Sequence, residues 1–259
     1  MINVKKSGNS ESPTLVMLHG LGGTLRYWNT GLDALEKHYR VVRIDLLGFG
    51  DSSKPWQNYS LEKHLAAIES VLLKYDSFVL MGHSLGASIS LAYADLHKQQ
   101  VTKLVLISLP LFYCQKHAYN WIRRTPSGWL MSNMLIAALT CMISRRLAKK
   151  ILPKFIKNYP QEVMDDLVKH NVFSSTTTLW NVLYNQQMTK RIISLNKSLR
   201  VYCIHSLNDS SAPYKPVQKL ANSLPNWNLL TLEKANHHPW LWDNKACIKE
   251  IIRIMENTD

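Results

Sequence analysis

The stretch Ser77-Phe78-Val79-Leu80-Met81-Gly82-His83-Ser84-Leu85-Gly86-Ala87-Ser88 decides how this chain is read. Its first six residues form a short apolar run ending on glycine, as a strand buried on both faces does. From Leu85 to His97 the apolar spacing becomes helical. Between strand and helix stands Gly82-x-Ser84-x-Gly86. A chain that turns from strand to helix this sharply brings backbone against backbone, and side chains at the two glycine positions would collide with it. The serine at the apex is strained and lifts its hydroxyl above the strand end, beside a helix N-terminus that favours developing negative charge. A chance Gly-Ser-Gly turn would lack this strand–turn–helix setting. Ser84 is the candidate nucleophile.

The alternation extends in both directions. Thr14–His19, Arg40–Asp45, Ser77–Gly82, Val101–Ser108, Arg200–Ser206 and Trp227–Leu232 read as strands. Leu25–His38, Leu61–Lys74, Leu85–His97, Tyr214–Ser223 and Lys245–Glu256 have helical spacing. Strands alternating with helices predict an α/β fold with a mostly parallel sheet flanked by helices and right-handed crossovers. With 259 residues the chain can bury one core and carry one large insertion. The alternation stops between Leu109 and Lys197, where the pattern is helical and rich in Trp and Tyr. The expected organisation is a core of residues 1–109 and 198–259, with a helical cap of residues 110–197 inserted after the strand at 101–108.

Further motifs carry a family resemblance. His19-Gly20-Leu21-Gly22-Gly23 resembles the H-G-x-x-G segment of α/β-hydrolases, and Asp45-Leu46-Leu47-Gly48-Phe49-Gly50-Asp51-Ser52 looks like their D-x-x-G-x-G-x-S loop. With the Ser84 motif, the likeness runs through nearly the whole chain except the cap. It implies an oxyanion hole made of the backbone N–H groups of Leu21 and Leu85, and a structural role for His19. The family's triad runs nucleophile, acid, histidine. Ala235-Asn236-His237-His238-Pro239 follows the last strand and is similar to the family's Gly-His-x-Pro, so His237 aligns with the base and His238 with the variable position. Asn236 stands where the family usually has glycine. Asp209, in Ser206-Leu207-Asn208-Asp209-Ser210-Ser211-Ala212-Pro213, matches the acid that follows the penultimate strand; a turn or helix-capping aspartate is the plainer alternative. Only about 13 residues precede the first strong strand, so the family's two leading antiparallel strands are expected to be abbreviated or absent. Serine at 84 disfavours dehalogenase and epoxide hydrolase chemistry, which uses aspartate there.

Composition adds less. Four widely spaced cysteines (Cys114, Cys141, Cys203, Cys247) show no metal-ligand spacing and read as reduced thiols. Met1–Pro13 is polar and has no apolar signal-peptide core, and the apolar stretch Leu130–Ile143 is too short to span a bilayer. A cytoplasmic protein is expected, with peripheral membrane contact as a second reading. Net charge is +13. Between Pro110 and Ser198 there are 13 Lys and Arg against three acids, Glu162, Asp165 and Asp166. Trp129–Lys150 joins an apolar run to Arg145, Arg146, Lys149 and Lys150, a pattern shared by basic helices on anionic membranes and by cap helices whose cations stay solvated. No nucleic-acid module accompanies the charge, so no nucleic-acid partner is expected.

Cap aromatics (Phe112, Tyr113, Trp121, Trp129, Phe155, Trp180, Tyr184) are candidates to line an apolar pocket over Ser84, with Tyr113, Trp121, Trp180 and His83 taken as substrate-binding residues. The resulting expectation is a serine hydrolase, esterase- or lipase-like, cleaving a small-molecule carboxylic ester through an acyl-Ser84 intermediate without metal or organic cofactor. An acyltransferase, thioesterase, amidase or carbon–carbon hydrolase or lyase with the same triad stays open, as does a ligand-binding member without activity. The sequence sets no oligomeric state.

Overall fold

A computed structural model describes residues 1–143, 160–184, 188–195 and 197–256. Seven strands form one sheet: β1 (Val4–Ser7), β2 (Thr14–Leu18), β3 (Arg40–Ile44), β4 (Phe78–His83), β5 (Val101–Ile107), β6 (Arg200–Ser206) and β7 (Trp227–Leu232). Their order is β1-β3-β2-β4-β5-β6-β7. Only β1 runs antiparallel, against β3. Strand order reverses between β2 and β4, and the carboxyl ends flanking such a reversal are where open α/β sheets bind ligands.

Each strand feeds both sides of the sheet because successive side chains alternate. Along β2, Val16 and Leu18 join one apolar cluster while Leu15 and Met17 join the other. The first cluster packs against α2 (Leu61–Leu72) and α3 (Leu85–Leu96), the second against α1 (Leu32–Glu36) and the C-terminal helix Asn244–Glu256. Leu85 through Ala94 are all buried in α3. That helix is enclosed all round, which explains its small residues Gly86, Ala87, Ser88, Ser90, Ala92 and Ala94.

Two expectations change in detail. The single helix read at Leu25–His38 is a 3₁₀ turn, Leu25–Trp28, followed by α1. Gly31, at φ +73°, breaks it. A Cβ there would sit 2.2 Å from Oδ1 of Asn244. At the N-terminus a four-residue strand forms within the polar Met1–Pro13 segment; β1 is an edge strand whose central lysines stay exposed, so it carries little apolar signal.

Between β5 and β6 the described chain is helical: α4 (Gln115–Ile122), α5 (Pro126–Leu130), α6 over 134–143, α7 (Gln161–Asp166), α8 (Val172–Thr178), a π-helical stretch Leu179–Tyr184, and α9 (Met188–Ser194). After β6 come α10 (Tyr214–Ser223), the short α11 (Pro239–Trp242) and α12 (Asn244–Glu256). Polar bonds tie these cap helices to the core. The Asp166 carboxylate, almost fully buried, accepts hydrogen bonds from Thr24 and from both arms of Arg26, the Nε contact being 2.6 Å. Asn29 Nδ2 donates to Glu162 at 2.8 Å, the Tyr59 N–H donates to Thr177 at 2.9 Å, and Ser194 Oγ donates to Asp95 at 2.7 Å. Arg145, Arg146, Lys149, Lys150 and Phe155 lie outside the described residues.

Burial pushes the Asp166 carboxyl up, but hydrogen bonds from Arg26 and Thr24 and the charges of Lys169 and Arg26 hold it below its ordinary value. A depressed folded-state value means this clamp is at full strength above the unfolded carboxylate range and is lost as pH falls through the folded value. Asp166→Asn is expected to lower stability at pH 7 by about 1.5–3 kcal/mol. In urea unfolding, the gap between variant and parent should close as pH drops below about 4.

Candidate active site

The turn from β4 into α3 holds Ser84 at φ +51°, ψ −110°, a conformation open to few residues with a side chain. Its backbone is pinned on both sides: the Ser84 N–H donates to Ile107 at 2.9 Å, and Ser88 N–H donates to the Ser84 carbonyl at 3.1 Å. The flanking glycines meet a hard limit. A Cβ on Gly82 would lie 2.3 Å from the Gly86 carbonyl carbon, and one on Gly86 would lie 2.3 Å from the Leu18 carbonyl oxygen. Helix and strand approach this closely only without side chains.

Three distant parts of the chain meet above the carboxyl ends of β4, β6 and β7. His237 Nε2 lies 3.0 Å from Ser84 Oγ, and its Nδ1 lies 2.9 Å from each oxygen of Asp209. The carboxylate accepts, so Nδ1 carries the proton and Nε2 is left to accept from the serine hydroxyl. Asp209 is buried and also accepts from the N–H groups of Ser211 and Ala212, both at 2.8 Å. It therefore fills the turn role and faces the imidazole at once. Burial pushes its carboxyl up, yet the charge and hydrogen bond of His237, with help from His205 and Ala212, keep it below the ordinary carboxylate value.

The loops carrying His237 and Asp209 are tied to each other. Ser206 Oγ donates to Asn208 at 2.6 Å and accepts from Ala235 N–H at 3.1 Å, while Asn236 N–H donates to Asn208 at 2.9 Å. Asn236 adopts φ +48°. That explains how asparagine occupies a place where glycine is usual, since asparagine tolerates the left-handed region best among residues with a side chain. His83 Nε2 donates to the His237 carbonyl at 2.8 Å, and its ring stacks on Tyr27 at 4.7 Å. Burial drives His83 well below the usual imidazole range and His238 down to about 3, with neighbouring histidines adding to each shift. Both rings are neutral at physiological pH. His19 donates from Nδ1 to the Gly20 carbonyl at 2.7 Å and accepts at Nε2 from Leu46 N–H at 3.0 Å. It joins the loop after β2 to the Asp45–Ser52 loop and does not reach Ser84.

Ser84 opens onto a cavity of about 410 Å³. Its floor includes Leu21, His83, Ser84, His237 and His238, and cap residues such as Phe112, Ile122, Met131, Leu179 and Tyr184 form its apolar roof. Three residues proposed from sequence to bind substrate are placed elsewhere. Tyr113 is exposed and faces a different cavity. Trp121 stands behind the wall, its indole N–H donating to Ser210 at 3.1 Å beneath the Arg124 guanidinium. Trp180 backs Tyr184 edge-on at 5.2 Å. Trp129, another aromatic considered, is exposed, while Phe112 and Tyr184 line the cavity. Tyr27, Met131, Val163 and Leu167 line the cavity without any sequence signal, because their position depends on how the cap folds over the sheet. Among the described residues, no three His, Cys, Asp or Glu side chains gather as metal ligands would.

The chain belongs to the alpha/beta hydrolase fold family, whose pattern it matches over residues 13–243. It is 37% identical over 107 residues to a probable lysophospholipase, BODYGUARD 4, of Arabidopsis thaliana, covering 39% of this chain and 26% of that one. It is 31% identical over 131 residues to a probable 1-acylglycerol-3-phosphate O-acyltransferase of Oryza sativa subsp. japonica, covering 46% of this chain and 30% of the other. The chain thus spans only about a quarter to a third of these relatives' lengths. In three dimensions it superposes on the enol-lactonase of Burkholderia xenovorans LB400 with a TM-score of 0.80, at 18% identity, covering 99% of this chain and 96% of that one.

Because Gly86 faces the fixed backbone of β2, Gly86→Ala is expected to cost about 1–3 kcal/mol. A lowered urea midpoint with an unchanged m-value is the measurement that checks it.

Proposed function

We propose that this protein is a serine hydrolase that cleaves a carboxylic ester with an apolar acyl or aryl group. The observation that carries the reading is the relay Ser84 Oγ to His237 Nε2, 3.0 Å, and His237 Nδ1 to Asp209, 2.9 Å, at the floor of a chiefly apolar cavity. As the substrate carbonyl is attacked, His237 takes the Ser84 proton and Asp209 stabilises the imidazolium while holding its orientation. The tetrahedral oxyanion is received by the N–H groups of Leu21 and Leu85. Leu85 is the first residue of α3, so its N–H has no acceptor within the helix, and Leu21 borders the cavity. His237 then gives its proton to the leaving alcohol. It next draws a proton from water, which attacks the acyl-Ser84 ester, and collapse of that intermediate releases the acid as His237 returns the proton to Ser84 Oγ.

On p-nitrophenyl esters, Ser84→Ala is expected to lower kcat by at least about 10³-fold, and Asp209→Asn by roughly 10³–10⁴-fold. Wild type should take up a fluorophosphonate at Ser84. Equal ester turnover in wild type and Ser84→Ala sinks the proposal, and folded protein that takes up no probe favours a ligand-binding role without catalysis.

Acyl transfer to a hydroxyl acceptor is the second reading, supported by the O-acyltransferase relative. It shares every step up to acyl-Ser84 and differs in what attacks next. Exposed Leu135, Leu139 and Ile143 on α6 further support contact of the cap with a lipid surface. Co-sedimentation with vesicles is expected to rise with anionic lipid and fall with salt.

A further inference from the structure

A second cavity, of about 380 Å³, lies outside the site described above, between α9, α10 and the start of β7. Its size is within the range of small-ligand sites. Leu111, Ile192, Leu195, Leu220, Leu224 and Trp227 form its walls, and Leu111, Ile192, Leu195 and Trp227 among them are buried. Lys197 and Lys219, both exposed, stand among the lining residues, and no carboxylate lines the cavity among the described residues. A half-open apolar slot flanked by two cations matches one ligand shape: a single hydrocarbon chain ending in an anion. A neutral chain would gain nothing from the two solvated ammonium groups, and a compact polar anion would leave the apolar walls unfilled.

This slot and the Ser84 cavity share a wall. The extended segment after β5 alternates its side chains between them: Pro110 and Phe112 face Ser84, while Leu111 and Tyr113 face the second cavity. A ligand seated against Leu111 is therefore one residue away from the lining of the Ser84 chamber.

We infer that this second cavity binds a fatty carboxylate, its chain between Ile192, Leu220 and Trp227 and its carboxylate at Lys197 and Lys219. The inference does not rest on the ester-hydrolase reading, since binding there needs no turnover.

Photolabelling of the full chain with dodecanoate carrying a terminal diazirine, followed by peptide mapping, tests it. Adducts are expected on 188–195 and 216–227, suppressed by unlabelled dodecanoate at several-fold lower concentration than by dodecanol. The double variant K197E/K219E replaces attraction by repulsion at two exposed positions, and about a 10-fold loss of labelling is expected. Ile193→Glu, at a residue 75% exposed on the cavity wall, should weaken labelling in the same direction. Adducts confined to 122–131 and 179–184 around Ser84, no adducts, or labelling undiminished in K197E/K219E would overturn the inference. Ester turnover of the double variant, measured alongside, separates this result from any failure of the Ser84 chemistry.

Discussion

The contact between Gly86 and the carbonyl oxygen of Leu18 sets the position of nearly everything else. It lets α3 lie against the carboxyl end of β2, which in turn places the His19–Gly23 loop beside the N-terminus of that helix. Ser84 is strained because it must join a central strand to a helix packed this tightly, and it holds its conformation because the backbone bonds to Ile107 and Ser88 leave no slack. Strain at one residue is sustained by burial along the whole of α3. Packing energy spread over ten buried residues is thereby converted into the placement of one hydroxyl.

Around that hydroxyl the molecule gathers imidazoles without gathering positive charge. Burial keeps His19, His83, His205 and His238 below the normal imidazole value. His205 lies behind the acid, its Nε2 3.5 Å from Asp209 and 3.2 Å from the Ala212 carbonyl. Rings of this kind supply hydrogen bonds and flat packing surfaces around the relay. Local electrostatics thus suit the proposed proton exchange along a single line, from Ser84 to His237, with Asp209 as the fixed negative end.

The sheet was legible because its central parallel strands are buried on both faces and read as chiefly apolar runs; β6 and β7 fall at the expected residues and the other expected strands within one. Ser84, Asp209 and His237 were legible for a related reason, since each follows a strand and strand ends converge. The edge strand β1 is the abbreviated leading strand that the sequence allowed, and its bounds were not legible because its lysines are exposed. What failed was phase and depth in the cap. Phe112 and Tyr113 are both aromatic and adjacent, and nothing in their order says which one faces Ser84. Trp121 and Trp180 are large enough to suggest a pocket wall, but each stands one layer back, bracing Ser210 and Tyr184. Lining is decided by helix placement, and spacing in the chain does not encode it.

The segment from Pro110 to Tyr113 works as a partition, and a partition has two rooms. Deleting Leu109 would move the side chains that follow it to the opposite room, putting a tyrosine ring where phenylalanine now roofs Ser84. Remodelling either chamber through this segment therefore remodels both. Variation in length here is tightly restricted, whereas variation in side-chain bulk is free to trade volume from one room to the other.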